Sequence, residues 1–169
     1  GILFGQTGYQ IDFKVKGLKD TTAYLAYYYM ESTYVRDTAK VNGQGEFTFD
    51  GKQSLTPGIY FLVMNKIKLV EFLVGKNQRF KLSTSTEEYV KNMTVSGDAD
   101  NKLFFDNMLF NVEMHKKAEP HIKVLQDSAA TPEQKAAARA AYLKVNEKVQ
   151  AYQDELIAKH PEMLTARLL

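Results

Sequence analysis

The chain has no cysteine and no tryptophan, only 4 prolines among 169 residues, and almost no charge imbalance, 22 basic against 20 acidic residues. Each absence excludes something. Without a thiol there is no disulfide, no thiolate metal site and no thiol exchange by this chain itself. The balanced charges are interspersed, so no basic stripe exists to track a phosphate backbone. No run approaches the roughly 18 apolar residues of a membrane-crossing helix. There is no Gly-x-Ser-x-Gly elbow for a nucleophilic serine. The Gly5-Gln6-Thr7-Gly8 segment precedes a strand pattern and lacks the lysine and helix of a phosphate loop. The apolar start, residues 1–6, reads either as the tail of a secretory signal with its cleavage site or as a buried strand.

What is present divides at one joint, residues 93–106. Before it apolar residues alternate with polar ones, the period of strands; after it they recur every three or four, the period of helices. Gly97 closes the last extended piece, and Asp98 and Asp100 are candidate helix N-caps.

In the first half, Tyr9, Ile11, Phe13 and Val15 alternate with polar residues as in a half-buried strand. Further strands are expected at residues 23–30, 34–41, 46–49, 59–64, 69–74, 80–84 and 93–96, punctuated by turns such as Asn42-Gly43-Gln44-Gly45 and Thr56-Pro57-Gly58. The continuous run Ile59-Tyr60-Phe61-Leu62-Val63-Met64 suits a central strand, and the last strands are expected to complete a meander. In the second half, Phe105, Met108, Val112, His115, Ala118, Ile122 and Leu125 form a helical stripe that Pro120 should kink or interrupt. Thr131-Pro132-Glu133-Gln134 is a capping-box start. Ala138, Tyr142, Val145, Val149, Tyr152 and Leu156 make a narrow seam that ends at His160-Pro161. The short loop between the helices predicts an antiparallel hairpin.

The expected class is α+β: an antiparallel β-sandwich or partly open barrel followed by an antiparallel helical hairpin. The expected division is a tail over residues 1–8, a β domain over 9–97, a hairpin over 98–160, and the start of a further helix over 161–169. That last pattern stops at Leu168-Leu169, which predicts a longer natural gene product.

Few residues offer chemistry. His115 and His121 are six apart, about 240° around a helix, and do not share a face. His160 lies near a helix C-terminus, where a cation is mildly favoured. Glu87-Glu88 and the pair Asp98 and Asp100 read as solvated or helix-start charges rather than an acid–base pair across a cleft. Asn92-Met93-Thr94 matches a three-residue glycosylation sequon, a weak motif. No catalytic set, no cofactor site and no metal site is expected. The one candidate surface is the strand carrying Tyr24, Tyr27, Tyr28 and Tyr29, apolar or aromatic on both faces. Stacked rings of this kind can hold a sugar or a peptide; the competing reading is that both faces are packed against protein.

Certain segments carry a resemblance: Phe13-Lys14-Val15-Lys16-Gly17-Leu18-Lys19-Asp20, Tyr24-Leu25-Ala26-Tyr27-Tyr28-Tyr29, Asp37-Thr38-Ala39-Lys40-Val41, Gly45-Glu46-Phe47-Thr48-Phe49 and Pro57-Gly58-Ile59-Tyr60. The joint, with Val90-Lys91-Asn92-Met93, Gly97 and Asn101-Lys102-Leu103-Phe104, continues it. In this order they resemble the DUF4369 domain that precedes a thioredoxin-like (AhpC/TSA-type) domain in envelope proteins of Gram-negative bacteria. The helical hairpin, ending in Lys159-His160-Pro161, resembles the segment that follows it there. The resemblance implies a periplasmic or envelope location. It also implies a C-terminal thioredoxin-like domain as partner, and a parent protein that exchanges disulfides through a Cys-x-x-Cys motif. This chain would then be a non-catalytic front end that orients or dimerises the redox domain, with a homodimer as a further expectation. The alternative is a sugar- or peptide-binding β module using the tyrosine strand.

Overall fold

The computed structural model describes residues 7–169, so the expectation for residues 1–6 lies outside the described residues. The chain is α+β. Among the described residues eight strands form two open four-stranded sheets, not a closed barrel. They are β1 (Tyr9–Lys16), β2 (Thr21–Tyr29), β3 (Ser32–Val41), β4 (Glu46–Gly51), β5 (Gly58–Met64), β6 (Ile67–Val74), β7 (Arg79–Ser85) and β8 (Thr94–Ser96). The first sheet has the order β4-β1-β7-β8 and the second β3-β2-β5-β6. The expected closing meander is not there. β6 and β7 belong to different sheets, and β7 pairs with β1 in parallel, Phe13 opposite Leu82. The β6–β7 connection crosses between layers, which alternation within each strand cannot reveal.

Alternation fixes which side chains enter the core. In β1, Tyr9, Ile11, Phe13 and Val15 are buried while the residues between them face outward. Phe13 stacks on Phe47 at 4.9 Å and meets Phe49 edge-on at 5.9 Å, both from β4. Across the sandwich it meets Phe72 of β6 at 5.5 Å. β5 is central, as its apolar run predicts, with Tyr60, Phe61, Leu62 and Met64 buried.

Both edges of the second sheet are bulged. Leu25 faces Asp37 but Ala26 faces Val35, so Arg36 of β3 is the extra residue. Leu62 faces Val70 but Val63 faces Lys68, so Leu69 of β6 is another. Bulges twist an edge and hinder the addition of a further strand. Two buried side-chain amides act as substitute peptide groups. Gln78 accepts from the Leu55 N–H at 2.8 Å and donates to the Leu55 carbonyl at 2.9 Å. Asn101 does the same for Leu73 of β6, at 2.8 Å in each direction.

The helices are α1 (Ala99–Gln126), α2 (Pro132–Lys159) and the short α3 (Leu164–Arg167). The chain divides into two compact units within α1, the first ending at Phe105 and the second running from Asp106 to Leu169. Helix α1 runs through Pro120 without interruption. In the second unit α1 and α2 pair antiparallel, as expected. Phe110 stacks on Tyr152 at 4.0 Å, and Ala118 and Ile122 share a groove with Tyr142 and Val145. The packed stripe of α1 keeps Phe105 and Ala118 of the expected one but departs from it between them, where Met114 is buried while Val112 and His115 are exposed. A polar residue, the buried Asn107, sits in the true stripe and disguises its phase. Thr131 caps α2 with the reciprocal Gln134 hydrogen bonds that its sequence predicts. In the C-terminal turn Thr165 and Ala166 are buried and Leu164 is half-buried, whereas Leu168 and Leu169 are exposed.

Candidate functional site

The two sheets differ on their outer faces. The first sheet presents Gln10, Asp12, Lys14 and Lys16 from β1, with Arg79 and Lys81 from β7, the solvated face of an ordinary half-buried sheet. The second sheet has no such face. Because Phe72 meets Phe13 in the core, its register partners Tyr60 and then Tyr27 also face inward. Tyr24, Ala26 and Tyr28 therefore face outward, with Val35, Phe61 and Val63 as cross-strand neighbours. Mid-strand both faces are buried, Leu25 inside and Ala26 outside.

Towards the β2–β3 turn that burial ends. Tyr28 is 54% exposed, Tyr29 59%, Met30 84%, Tyr34 46% and Val35 58%. On the inner face Tyr27 stacks on Tyr34 at 5.8 Å and lies 5.9 Å from Tyr60, while Tyr29 meets Tyr34 edge-on at 6.3 Å. On the outer face Tyr28 lies 4.6 Å from Phe61. The Lys68 ammonium sits 5.8 Å from the Tyr28 ring and 2.6 Å from Glu71. Its hydrogen bond to Glu71 holds the lysine above its ordinary pKa. Met30 occupies the turn with φ +56°, a conformation that L side chains rarely adopt. The four tyrosines singled out from sequence therefore do not form one surface: Tyr27 and Tyr29 lie on the inner face, Tyr24 and Tyr28 on the outer. Tyr24 is half-buried in a shallow groove of about 600 Å³, with Thr22, Val35, Val63, Asn65 and Lys66. Sequence reasoning missed Tyr34 and Val35, and ended the strand at Met30, which lies in the turn instead. Their signal was available, because a two-residue connection places residues 33–35 opposite 26–28.

The carboxylates serve structure. Asp98 caps α1, accepting from the Asn101 backbone at 3.2 Å and its side-chain amide at 2.7 Å. Burial raises its pKa, against the pull of those hydrogen bonds. Glu88 pairs with Lys91 at 3.4 Å on the surface. Among the described residues no three histidine or carboxylate side chains converge on a metal position. None of the helices in the described residues is long and apolar enough to cross a membrane.

Tyr9 is the most perturbed of the titrating groups. Burial, and a 2.7 Å hydrogen bond donated to the Asp37 carboxylate, push its pKa up to about 12. An unfolded tyrosine ionises near pH 10. The folded phenol holds its proton where the unfolded one loses it, so its contribution is full below about pH 10 and is lost as the pH rises to about 12. Stability measured through this window should fall less steeply in Tyr9→Phe than in the natural chain. Equal slopes would show that the phenol stays solvated.

No curated protein matches the chain. Residues 9–104 match the model of the family described as a domain of unknown function, DUF4369, and the chain belongs to that family.

Proposed function

We propose that the chain is a non-catalytic accessory module of an exported, periplasmic or envelope thiol–disulfide oxidoreductase. Its role is to orient or dimerise a thioredoxin-like domain that follows in the parent protein. The carrying observation is the exposed aromatic end of the β2–β3 hairpin, Tyr28, Tyr29 and Tyr34, in a chain with no thiol of its own. Tyrosine suits a contact surface because its ring packs while its hydroxyl stays hydrated. The resemblance to envelope proteins carrying a thioredoxin-like domain supplies the partner. A second reading, a sugar or peptide site, is favoured by the row Tyr27, Tyr34 and Tyr29, whose rings are spaced near 6 Å.

The purified chain should not accelerate insulin reduction by dithiothreitol, since exchange requires an attacking thiolate. The parent protein should, through a Cys-x-x-Cys motif encoded downstream of Leu169. Replacing Tyr27 and Tyr29 with serine in the parent should loosen the redox domain, seen as faster hydrogen exchange there. A catalysed rate from the chain alone, or a parent gene without the motif, would sink the proposal. Calorimetric binding of a simple glycan, abolished by the same double change, would favour the second reading.

A further inference from the structure

The second sheet carries both a projecting apolar tip, at the β2–β3 turn, and an apolar groove across β3, β2 and β5, with opposite charges beside them. The tip is Tyr28 and Met30, followed in the turn by the exposed Glu31. The groove is walled by Tyr24, Val35 and Val63, and its rim carries the exposed Lys66. Asn65 and Lys66 both have positive φ, 49° and 64°, so a tight turn holds Lys66 at the groove. Neither Glu31 nor Lys66 has an ion-pair partner among the described residues.

The tip cannot enter its own groove. β2 is extended between Tyr24 and Tyr29, and at about 3.3 Å per residue the tip lies nearly 20 Å from Tyr24. A second copy has no such restriction. A twofold axis near Ala26 on the outer face would bring each tip to the other copy's groove. The same operation would set each Glu31 beside the other copy's Lys66. Such an arrangement is isologous and closes at two subunits. The bulges at Arg36 and Leu69 twist both edges of this sheet, which disfavours edge-to-edge pairing and leaves the face as the available surface. We propose that the outer face of the second sheet is a homodimer interface. In it the Met30 tip of one copy occupies the Tyr24–Val35–Val63 groove of its partner, and Glu31 pairs with Lys66. The inference rests on the reading of this hairpin as a protein contact and assigns its outer face to self-association.

The test is sedimentation equilibrium of the purified chain, with circular dichroism to verify that each variant is folded. The natural chain should dimerise. Glu31→Lys and Lys66→Glu should each weaken dimerisation about tenfold, the equivalent of about 1.4 kcal/mol, and the double reversal should recover most of it. Both positions are exposed, so folding should survive. A chain that stays monomeric, or a dimer indifferent to the reversals, would overturn the proposal. So would binding to phosphatidylcholine–phosphatidylglycerol vesicles that Met30→Ser abolishes, because it would assign the tip to lipid. The insulin-reduction and downstream-motif tests of the accessory-module reading are read out independently, so failure of the dimer and failure of that reading are distinguishable.

Discussion

Replacing Asn101 with leucine should lower the unfolding free energy by about 3 kcal/mol, although the two side chains are similar in size. The reason lies at the edge of the second sheet. Leu73 faces Ile59 across the β5–β6 ladder. Its own N–H and carbonyl both bond to Asn101, so they point away from β5, towards the open side of the edge strand. The Asn101 amide also holds the Asp98 carboxylate that caps α1, and its side chain is fully buried. Leucine would leave two buried backbone groups without partners, each costing about 1–3 kcal/mol. Urea denaturation would measure the loss, and hydrogen exchange at the Leu73 amide would localise it. Asn101→Asp provides an independent control. An ionised carboxylate can accept from the Leu73 N–H but repels the carbonyl; once protonated it can donate. Its stability deficit relative to the natural chain should therefore shrink as the pH is lowered. A deficit that does not change with pH would mean that volume, not hydrogen bonding, sets the role of this residue.

Much of the β half was legible because strands such as β1, β4 and β7 keep one polar and one apolar set. The observed bounds of β1 are those that its alternation predicts, and β5 declared itself central by having no polar set. Sheet membership was not legible. β7 crosses to β1 rather than continuing beside β6, and at that crossing the Gln78 side chain binds Leu55 while its carbonyl accepts from the Gln10 N–H. Those partners lie 23 and 68 residues away, beyond the reach of a local pattern. In α1 the buried Asn107 occupies a position that periodicity assigns to solvent, so the packed stripe was misread between Phe105 and Ala118, at Val112 and His115. At the candidate surface, alternation separated Tyr24 and Tyr28 from Tyr27 and Tyr29, and β2 keeps that pattern because the bulge falls on β3. Which of these rings would be exposed was not legible, since exposure depends on how far the hairpin extends beyond its neighbours.

Phe13→Ala should be the most damaging single truncation in the first unit, costing about 4 kcal/mol. Phe13 belongs to β1, which lies between β4 and β7, and its ring contacts three other phenylalanines: Phe47, Phe49 and Phe72. Two of these are on its own sheet and one on the facing sheet, so the side chain contributes to both strand pairing and layer packing. Removing it forfeits the transfer free energy of a fully buried ring and leaves a cavity. Backbone pairing in two directions, Phe13 to Phe47 and to Leu82, keeps β1 from collapsing into that space. Phe13→Leu retains most of the volume and should cost clearly less. A surface control on the same strand, Lys14→Ala, should change stability by no more than about 0.5 kcal/mol. Equilibrium denaturation of the three variants would test the ranking. If Phe13→Ala and Phe13→Leu were equally damaging, the aromatic contacts rather than the filled volume would be what joins the sheets. If neither cost more than the surface control, the core of this sandwich would lie elsewhere than at Phe13.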